Sequence, residues 1–534
     1  MENKKIPLYL PIVLALVLVG GMFLGIKLSN TQSLGILQGK QSGNKIDNLI
    51  NYLNDNYVDT VNDDKLNQQA IEGMLQSLDP HSSYIPAEDF SGVNDPMMGG
   101  FEGIGVEFRI EKDTIVIVNT IPLGPSERVG MKGGDRIVKV GTQVVAGKKI
   151  KNAQVMKLLK GPKGTKVNLS IYRRGTKGLM AFSIIRDHIP INSVDIAYMI
   201  EPTVGYIKLN KFAESTIDEF DQSLQKLLKS GMKKLILDLR GNPGGIMQAA
   251  IHIADQFLSN GKLIVYTQGV HSAKESAIAK GDGLFEKQPL VILLDEGSAS
   301  ASEILAGAIQ DNDRGMIIGR RSFGKGLVQQ QLSFKDGSAV RITVARYYTP
   351  TGRCIQRSYK NGTEEYYNDY YKRMNSGELT NADSNKFNNG LKFKTPSGRT
   401  VYGGGGIMPD VFIPVDTSKQ FHYYNELIYK GVIFEYAFQL TDNLRKVYQK
   451  NMTFEQFNAS FKITPAMYAD IYKLASKDSV KFDAKSAQYT QRQTGLLLKA
   501  YIARNIYGDI GFFPILLEDD KIFDRAKKEI DKMK

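Results

Sequence analysis

The chain has 534 residues, of which 42% are hydrophobic, and its 69 Lys+Arg against 56 Asp+Glu leave a formal charge of +13. That length makes about three to four domains with cores of their own and excludes disorder as the dominant state. One cysteine, Cys354, excludes an intrachain disulfide or a multi-Cys metal site, and five histidines without a His-Glu-x-x-His leave little for a metal, so no metal or cofactor is expected.

Lys4 and Lys5 precede an uncharged stretch at residues 6–26. At 1.5 Å rise per residue it reaches roughly 30 Å, the thickness of a hydrocarbon core, and it lacks an Ala-x-Ala-like cleavage site. A single uncleaved membrane-spanning anchor (1–30) is expected, with the basic N-terminus cytoplasmic and the remainder extracytoplasmic (periplasmic). A polar Ser/Gly/Gln/Asn tract follows as a linker. Ile46, Leu49, Ile50 and Leu53, then Leu66, Ile71, Met74, Leu75 and Leu78, recur at helical spacing. Residues 31–98 therefore read as linker and N-terminal helical region.

From residue 99 to 187 the texture is β, punctuated by glycine, with strands expected at 105–110, 114–118, 135–140 and 166–172 and one helix at 153–159. Short apolar strands at 205–209, 235–239, 290–294 and 316–318 then alternate with helical segments, the pattern of an α/β core over 188–416. Residues 356–400 are polar, tyrosine-rich and weakly periodic, and read as an insertion. The last region, 417–534, is helical, with helices expected at 424–443 and 490–506. Acidic residues interrupt nearly every basic run, as Asp524, Glu529 and Asp531 do in 521–534. The positive excess is a solvated surface, and nucleic acid is not an expected partner.

Three motifs in the α/β part can carry chemistry. Asp238-Leu-Arg-Gly-Asn-Pro-Gly-Gly245 takes a strand through a glycine turn toward a helical segment at 246–258. Such a turn lets backbone amides approach a ligand, and equally serves as a plain tight turn. Gly297-Ser-Ala-Ser-Ala-Ser-Glu-Ile304 opens a helix. Its serines can cap that helix, or one of them can stand as a nucleophile where free amides and the helix dipole stabilise negative charge. Spacing leaves Ser298, Ser300 and Ser302 equivalent.

Gly319-Arg-Arg-Ser-Phe-Gly-Lys-Gly326 imitates a phosphate loop but has Gly326 in place of the Mg²⁺-binding Ser/Thr, and strands follow where that motif needs a helix. What remains is Lys325 between two glycines, with Gln329 four residues on, on the same face if the segment is a strand. A solvated lysine is neutral in only on the order of one molecule in a thousand near pH 7, and burial makes it a usable base. His81, His188, His252, His271 and His422 lie in motif-free contexts, which argues against a Ser-His-Asp triad.

The order and spacing of these motifs, together with Tyr347-Tyr-Thr-Pro-Thr-Gly352, closely resemble the carboxyl-terminal processing (tail-specific) serine peptidases. The resemblance implies Ser300 as nucleophile, Lys325 as general base and Gln329 as the residue positioning the lysine. It implies an oxyanion hole from the Ala301 amide with an amide of the Gly244-Gly245 turn. It also makes residues 99–187, with Gly103-Ile104-Gly105-Val106 before a strand, similar to a PDZ domain whose loop amides hold a peptide carboxylate while the peptide adds as a strand. Lys160 stands where some members carry an arginine that couples peptide binding to catalysis.

The expected fold is a crotonase-like α/β serine peptidase core with an inserted β-rich PDZ domain, flanking helical segments and one N-terminal transmembrane helix. The expected function is a membrane-anchored endopeptidase acting on proteins with exposed C-terminal tails. Apolar helix faces before residue 78 and after 416 suit a homo-oligomer. The alternatives are a catalytically inactive PDZ adaptor that holds tails and an acyl-CoA hydratase or isomerase on the same core.

Overall fold

The computed structural model describes residues 13, 15–22, 45–381, 391–416 and 418–533. The chain divides into two compact units, 1–77 and 78–534. In the first, the two expected helices form at Lys45–Asn56 and Asp63–Gln76, the second opened by Asn62, whose side chain accepts from the Lys65 amide. Most of the expected membrane span lies outside the described residues. Residues 13 and 15–22 of it are helical, and among the described residues no helix is long and apolar enough to cross a membrane.

The second unit is built on a six-stranded sheet in the order Val194–Glu201, Val204–Leu209, Lys234–Asp238, Leu290–Leu294, Met316–Gly319, Val411–Phe412. Its first pair is antiparallel and the rest are parallel. Period-two alternation explains the uninterrupted apolar run at 290–294. Leu290, Ile292 and Leu294 face a cluster with Phe220, Leu224, Ile253 and Leu305 of three helices, Thr216–Lys229, Met247–Asp255 and Ala301–Asp311. Val291 and Leu293 face the other side, covered by Ile522, Phe523, Ala526 and Ile530 of the last helix, Lys521–Lys532. The end of the C-terminal region is thus a layer of the peptidase part. Arg240, at the end of a sheet strand, pairs at 2.6 Å with Asp520, which caps that helix.

A second sheet carries Leu327–Ser333 and Ala339–Tyr348, with Ser83–Ile85, Leu263–Gln268 and Glu275–Ile278. The PDZ-like part is a third sheet from Val106–Glu111 to Met180–Ile185, with the helix Asn152–Leu159. Its entry and exit strands, Gly100–Gly103 and Asp187–Pro190, pair with each other and close it off. The helix expected over 424–443 is instead two, His422–Tyr429 and Val432–Asn451, because Gly431 takes a left-handed turn at φ +69° between them.

Candidate active site

The three motif turns come together because each follows the C-terminal end of one of three adjacent parallel strands, where open α/β sheets build their sites. At the first of these ends, Asp238 is fully buried and ties Arg240 (2.6 Å), Lys208 (3.3 Å) and the Tyr206 hydroxyl (2.7 Å). Burial would raise its pKa, but the two cations outweigh it and hold the carboxyl well below the usual range.

The structure separates the three serines that spacing left equivalent. Ser298 is fully buried, donating to Leu239 O at 2.9 Å and accepting from the Asp295 amide at 3.0 Å. Ser302 is also fully buried and donates to Asn242 O at 3.0 Å. Both hold the turn together. Ser300 is half-buried, makes no side-chain cap bond, and takes φ +55°, ψ −113° at the start of the Ala301–Asp311 helix. A serine with positive φ is strained, and such strain persists where surrounding bonds over-determine it. Here the Tyr347 hydroxyl donates to Ser300 O at 3.1 Å and the Ser300 amide donates to Glu303 Oε2 at 2.8 Å.

Glu303 joins this turn to the next. Its buried carboxylate accepts from the Ser300 and Lys325 amides (2.8 and 2.9 Å), the Gly324 amide (2.7 Å) and the Ser322 hydroxyl (2.5 Å). Burial raises its pKa, and these four bonds pull the other way. A Ser-x-x-Glu capping box over 300–303 supplies one of the four, the Ser300 amide.

Lys325 precedes the strand Leu327–Ser333 rather than lying on it, and a bulge falls between Val328 and Gln329. Gln329 is nonetheless brought to it, and the Lys325 amine donates to Gln329 Oε1 at 2.9 Å. That bond leaves Gln329 Nε2 buried and without a partner. Burial, then repulsion from Arg341, lowers the amine's pKa, against the pull of Asp79 and Glu303.

The glycine turn lies against the serine turn. A Cβ on Gly244 would stand 2.8 Å from the Ala301 nitrogen, and one on Gly245 would stand 1.9 Å from Phe212 O. The oxyanion expectation needs a correction at Gly244, whose amide donates to Asn242 Oδ1 at 2.9 Å. Gly244 O accepts from Phe212 N at 2.9 Å, so the trans peptide turns the Gly245 amide the opposite way.

Sequence reasoning passed over His81. It sits on a turn in which Asp79 accepts from the His81 and Ser82 amides and the Ser82 hydroxyl, and the Thr343 amide donates to that hydroxyl. Burial, then the charge of Lys325, lowers the His81 pKa to about 4, with Arg357 adding to the shift and Asp79 opposing it. His252, by contrast, pairs with Asp221 on the helix side of the sheet. Nothing in the spacing around His81 points to Lys325, more than two hundred residues away.

In the PDZ-like sheet, Val106–Glu111 is an edge strand. Ile104 is buried in the same apolar cluster as Val155 and Leu159 of the neighbouring helix. The Ser126 amide and hydroxyl donate to Ile104 O, and the Ile121 amide donates to Gly105 O. The amides of Gly105 and Val106 therefore point away from those partners. Gly105 has φ +71°, and a Cβ there would meet Ile189 at 3.0 Å. Gly103 ends the entry strand. Lys160, at the end of the Asn152–Leu159 helix, pairs with Asp95 at 2.7 Å and lies 4.6 Å over the Phe101 ring.

The profile of peptidase family S41 matches residues 203–365 and that of the PDZ domain residues 103–182. The activating protease CtpB N-terminal domain matches 17–89, and a family of unknown function, DUF8443, matches 423–508. A carboxy-terminal-processing protease of Bartonella bacilliformis is 39% identical over 308 residues, 56% of this chain and 69% of that one. The carboxy-terminal processing protease CtpA of Bacillus subtilis is 35% identical over 359 residues, 66% of this chain and 76% of that one. Among solved structures, a photosystem II D1 C-terminal processing protease matches at 26% identity and a TM-score of 0.35, covering 69% of this chain and 88% of that one. The chain belongs to the carboxy-terminal-processing proteases of peptidase family S41, with a PDZ domain ahead of its peptidase part.

Proposed function

We propose that the protein is a membrane-anchored serine endopeptidase with a Ser300–Lys325 dyad on a crotonase-like core. The observation that carries this reading is the contrast among the three serines. Ser298 and Ser302 are consumed by the turn, whereas Ser300 is half-buried, strained and tied through one buried carboxylate to the backbone of the lysine turn. In the resting arrangement Gln329 holds the amine. With substrate bound, the neutral amine turns to Ser300 Oγ and takes its proton as the oxygen attacks the scissile carbonyl. The Gly245 and Ala301 amides, at the positive end of the Ala301–Asp311 helix, hold the oxyanion. The proton passes to the leaving amine, and water then releases the acyl group from Ser300 by the same route.

The PDZ domain selects the substrate in this reading. The Gly105 and Val106 amides bind the C-terminal carboxylate of a protein tail, and the tail adds to the free edge of Val106–Glu111. The uncharged stretch at 6–26 anchors the chain in the cell membrane with the catalytic part outside the cytoplasm, and a homo-oligomer is part of the same proposal. The test is cleavage of an unstructured polypeptide by the detergent-solubilised full chain beside Ser300→Ala and Lys325→Ala. Cleavage by the parent alone supports the dyad. Equal inertness of all three supports the tail-holding adaptor. A substrate with an amidated C-terminus separates tail recognition from chemistry, because it should raise KM and leave kcat nearly unchanged.

A further inference from the structure

The segment at 356–400 reads in the sequence as a polar insertion, yet side chains of its part 356–381 close around the lysine turn. Arg357 is buried with its guanidinium 3.9 Å from the centres of both the Phe323 and Tyr366 rings. It donates to Asp369 Oδ2 at 2.7 Å and to Tyr366 O at 2.9 Å. Phe323 stands two residues before Lys325. On the other side of the lysine, the Gly326 amide donates to Gln356 Oε1 at 2.8 Å, and Gln356 Nε2 reaches the Tyr366 hydroxyl at 3.4 Å. The same hydroxyl shares a 2.8 Å hydrogen bond with His81 Nε2, and the rings of Tyr366 and His81 meet edge to face at 5.2 Å. The next residue of the short helix Thr363–Tyr367, Tyr367, donates to Pro80 O at 2.8 Å. Tyr366 itself is 2% exposed.

We propose that Tyr366 is a positioning residue for Lys325: through Gln356 on one side and His81 on the other, it holds the lysine turn and keeps its surroundings dry, so that the insertion is a working part of the active site. This rests on Lys325 being the base. The physical reason is that an amine loses its charge more readily the less water reaches it. The groups that set the amine's charge are Gln329, Arg341, Asp79 and Glu303, with His81 neutral near pH 7 because its pKa is lowered to about 4. Around Tyr366 stand Arg357, Gln356 and Glu303. Removing the phenol admits water to the amine and raises its pKa. Activity that depends on the neutral amine then appears only at higher pH.

The experiment is the pH profile of kcat/KM for a tailed peptide, from pH 5.5 to 10, on the full chain in detergent with Tyr366→Ala, Tyr366→Phe, Lys325→Ala and, as a control, the 64% exposed Tyr371→Ala. Tyr366→Ala should move the acid limb up by about one pH unit, a loss of about tenfold on that limb that recovers at alkaline pH, with KM within about twofold. Tyr366→Phe keeps the ring and loses both hydroxyl bonds, so its limb should move in the same direction by less, and it decides the matter if the alanine variant does not fold. Tyr371→Ala should superimpose on the parent. Profiles of both Tyr366 variants that superimpose on the parent, or a loss with no alkaline recovery that tracks the folded fraction, overturn the proposal while an inactive Lys325→Ala still upholds the base. An active Lys325→Ala removes the base assignment, and this role with it.

Discussion

The first part of the insertion, 356–381, and the helical segment at 422–533 are both additions to a peptidase sheet, and they attach by opposite means. The last helix of the C-terminal segment lays Ile522, Phe523, Ala526 and Ile530 on the sheet face formed by Ile236, Val291 and Leu293. The insertion attaches through buried ions. Arg373, 4% exposed, donates to Glu378 at 2.8 Å, to Arg321 O at 2.7 Å and to Ser322 O at 3.3 Å, and Glu378 also accepts from Arg321. Apolar area stabilises in proportion to what is covered and is indifferent to direction. Buried ions contribute little net stability because desolvation offsets the attraction, but their geometry is directional and fixes what they touch. One addition holds the sheet together, and the other sets where the lysine turn stands.

The largest effect expected from this contrast is on the apolar side. Phe523→Ala should cost about 3–5 kcal/mol of unfolding free energy. Urea unfolding measures it, and kcat per folded molecule should stay within about twofold of the parent. A large fall in kcat without a loss of stability would break the contrast.

The next is a pH effect at the far edge of the insertion. With a folded pKa of about 4 against an ordinary 6.5, His81 is neutral in both states above pH 6.5. As pH falls from 6.5 toward 4 the unfolded chain takes up the proton first, so stability declines by up to about 3 kcal/mol from this group and levels below pH 4. Unfolding curves of His81→Gln across that window should lack this part of the decline. A variant whose pH dependence matches the parent's would count against a buried, neutral His81.

On the ionic side, Arg373→Met should cost about 1–3 kcal/mol of stability, since Glu378 keeps Arg321 as its counter-charge while the Arg321 and Ser322 carbonyls lose this donor. Activity should fall about tenfold, because the Arg321 and Ser322 carbonyls beside the lysine turn lose their donor. Steady-state kinetics beside thermal unfolding reads both, and a stability loss with kcat per folded molecule unchanged would reverse the assignment.

Lys160→Ala should be the mildest. Its ion pair with Asp95 is partly solvated, with side-chain exposures of 22% and 23%, and such pairs contribute at most about 1 kcal/mol. A fall in kcat well beyond that would make Lys160 a link between the PDZ domain and the catalytic turn rather than a local brace.

The sequence by itself determined what repeats over short range. The short apolar runs at 290–294 and 235–239 marked strands, the glycine turn at 244 and 245 marked backbone approach, and the order of motifs carried the family. It also narrowed the chemistry to Ser298, Ser300 or Ser302 with Lys325 and Gln329. Only the tertiary structure shows how Ser298 and Ser302 are held, because their partners, Leu239 O and Asn242 O, lie some sixty residues earlier in the chain. It alone paired the Gly244 amide with Asn242, split the 424–443 helix at Gly431, and closed an unpatterned tyrosine-rich insertion on the turn that carries Lys325. Periodicity records which face of an element is dry. Which buried polar group finds which partner depends on the separations left when distant segments pack, and that information is not local in the chain.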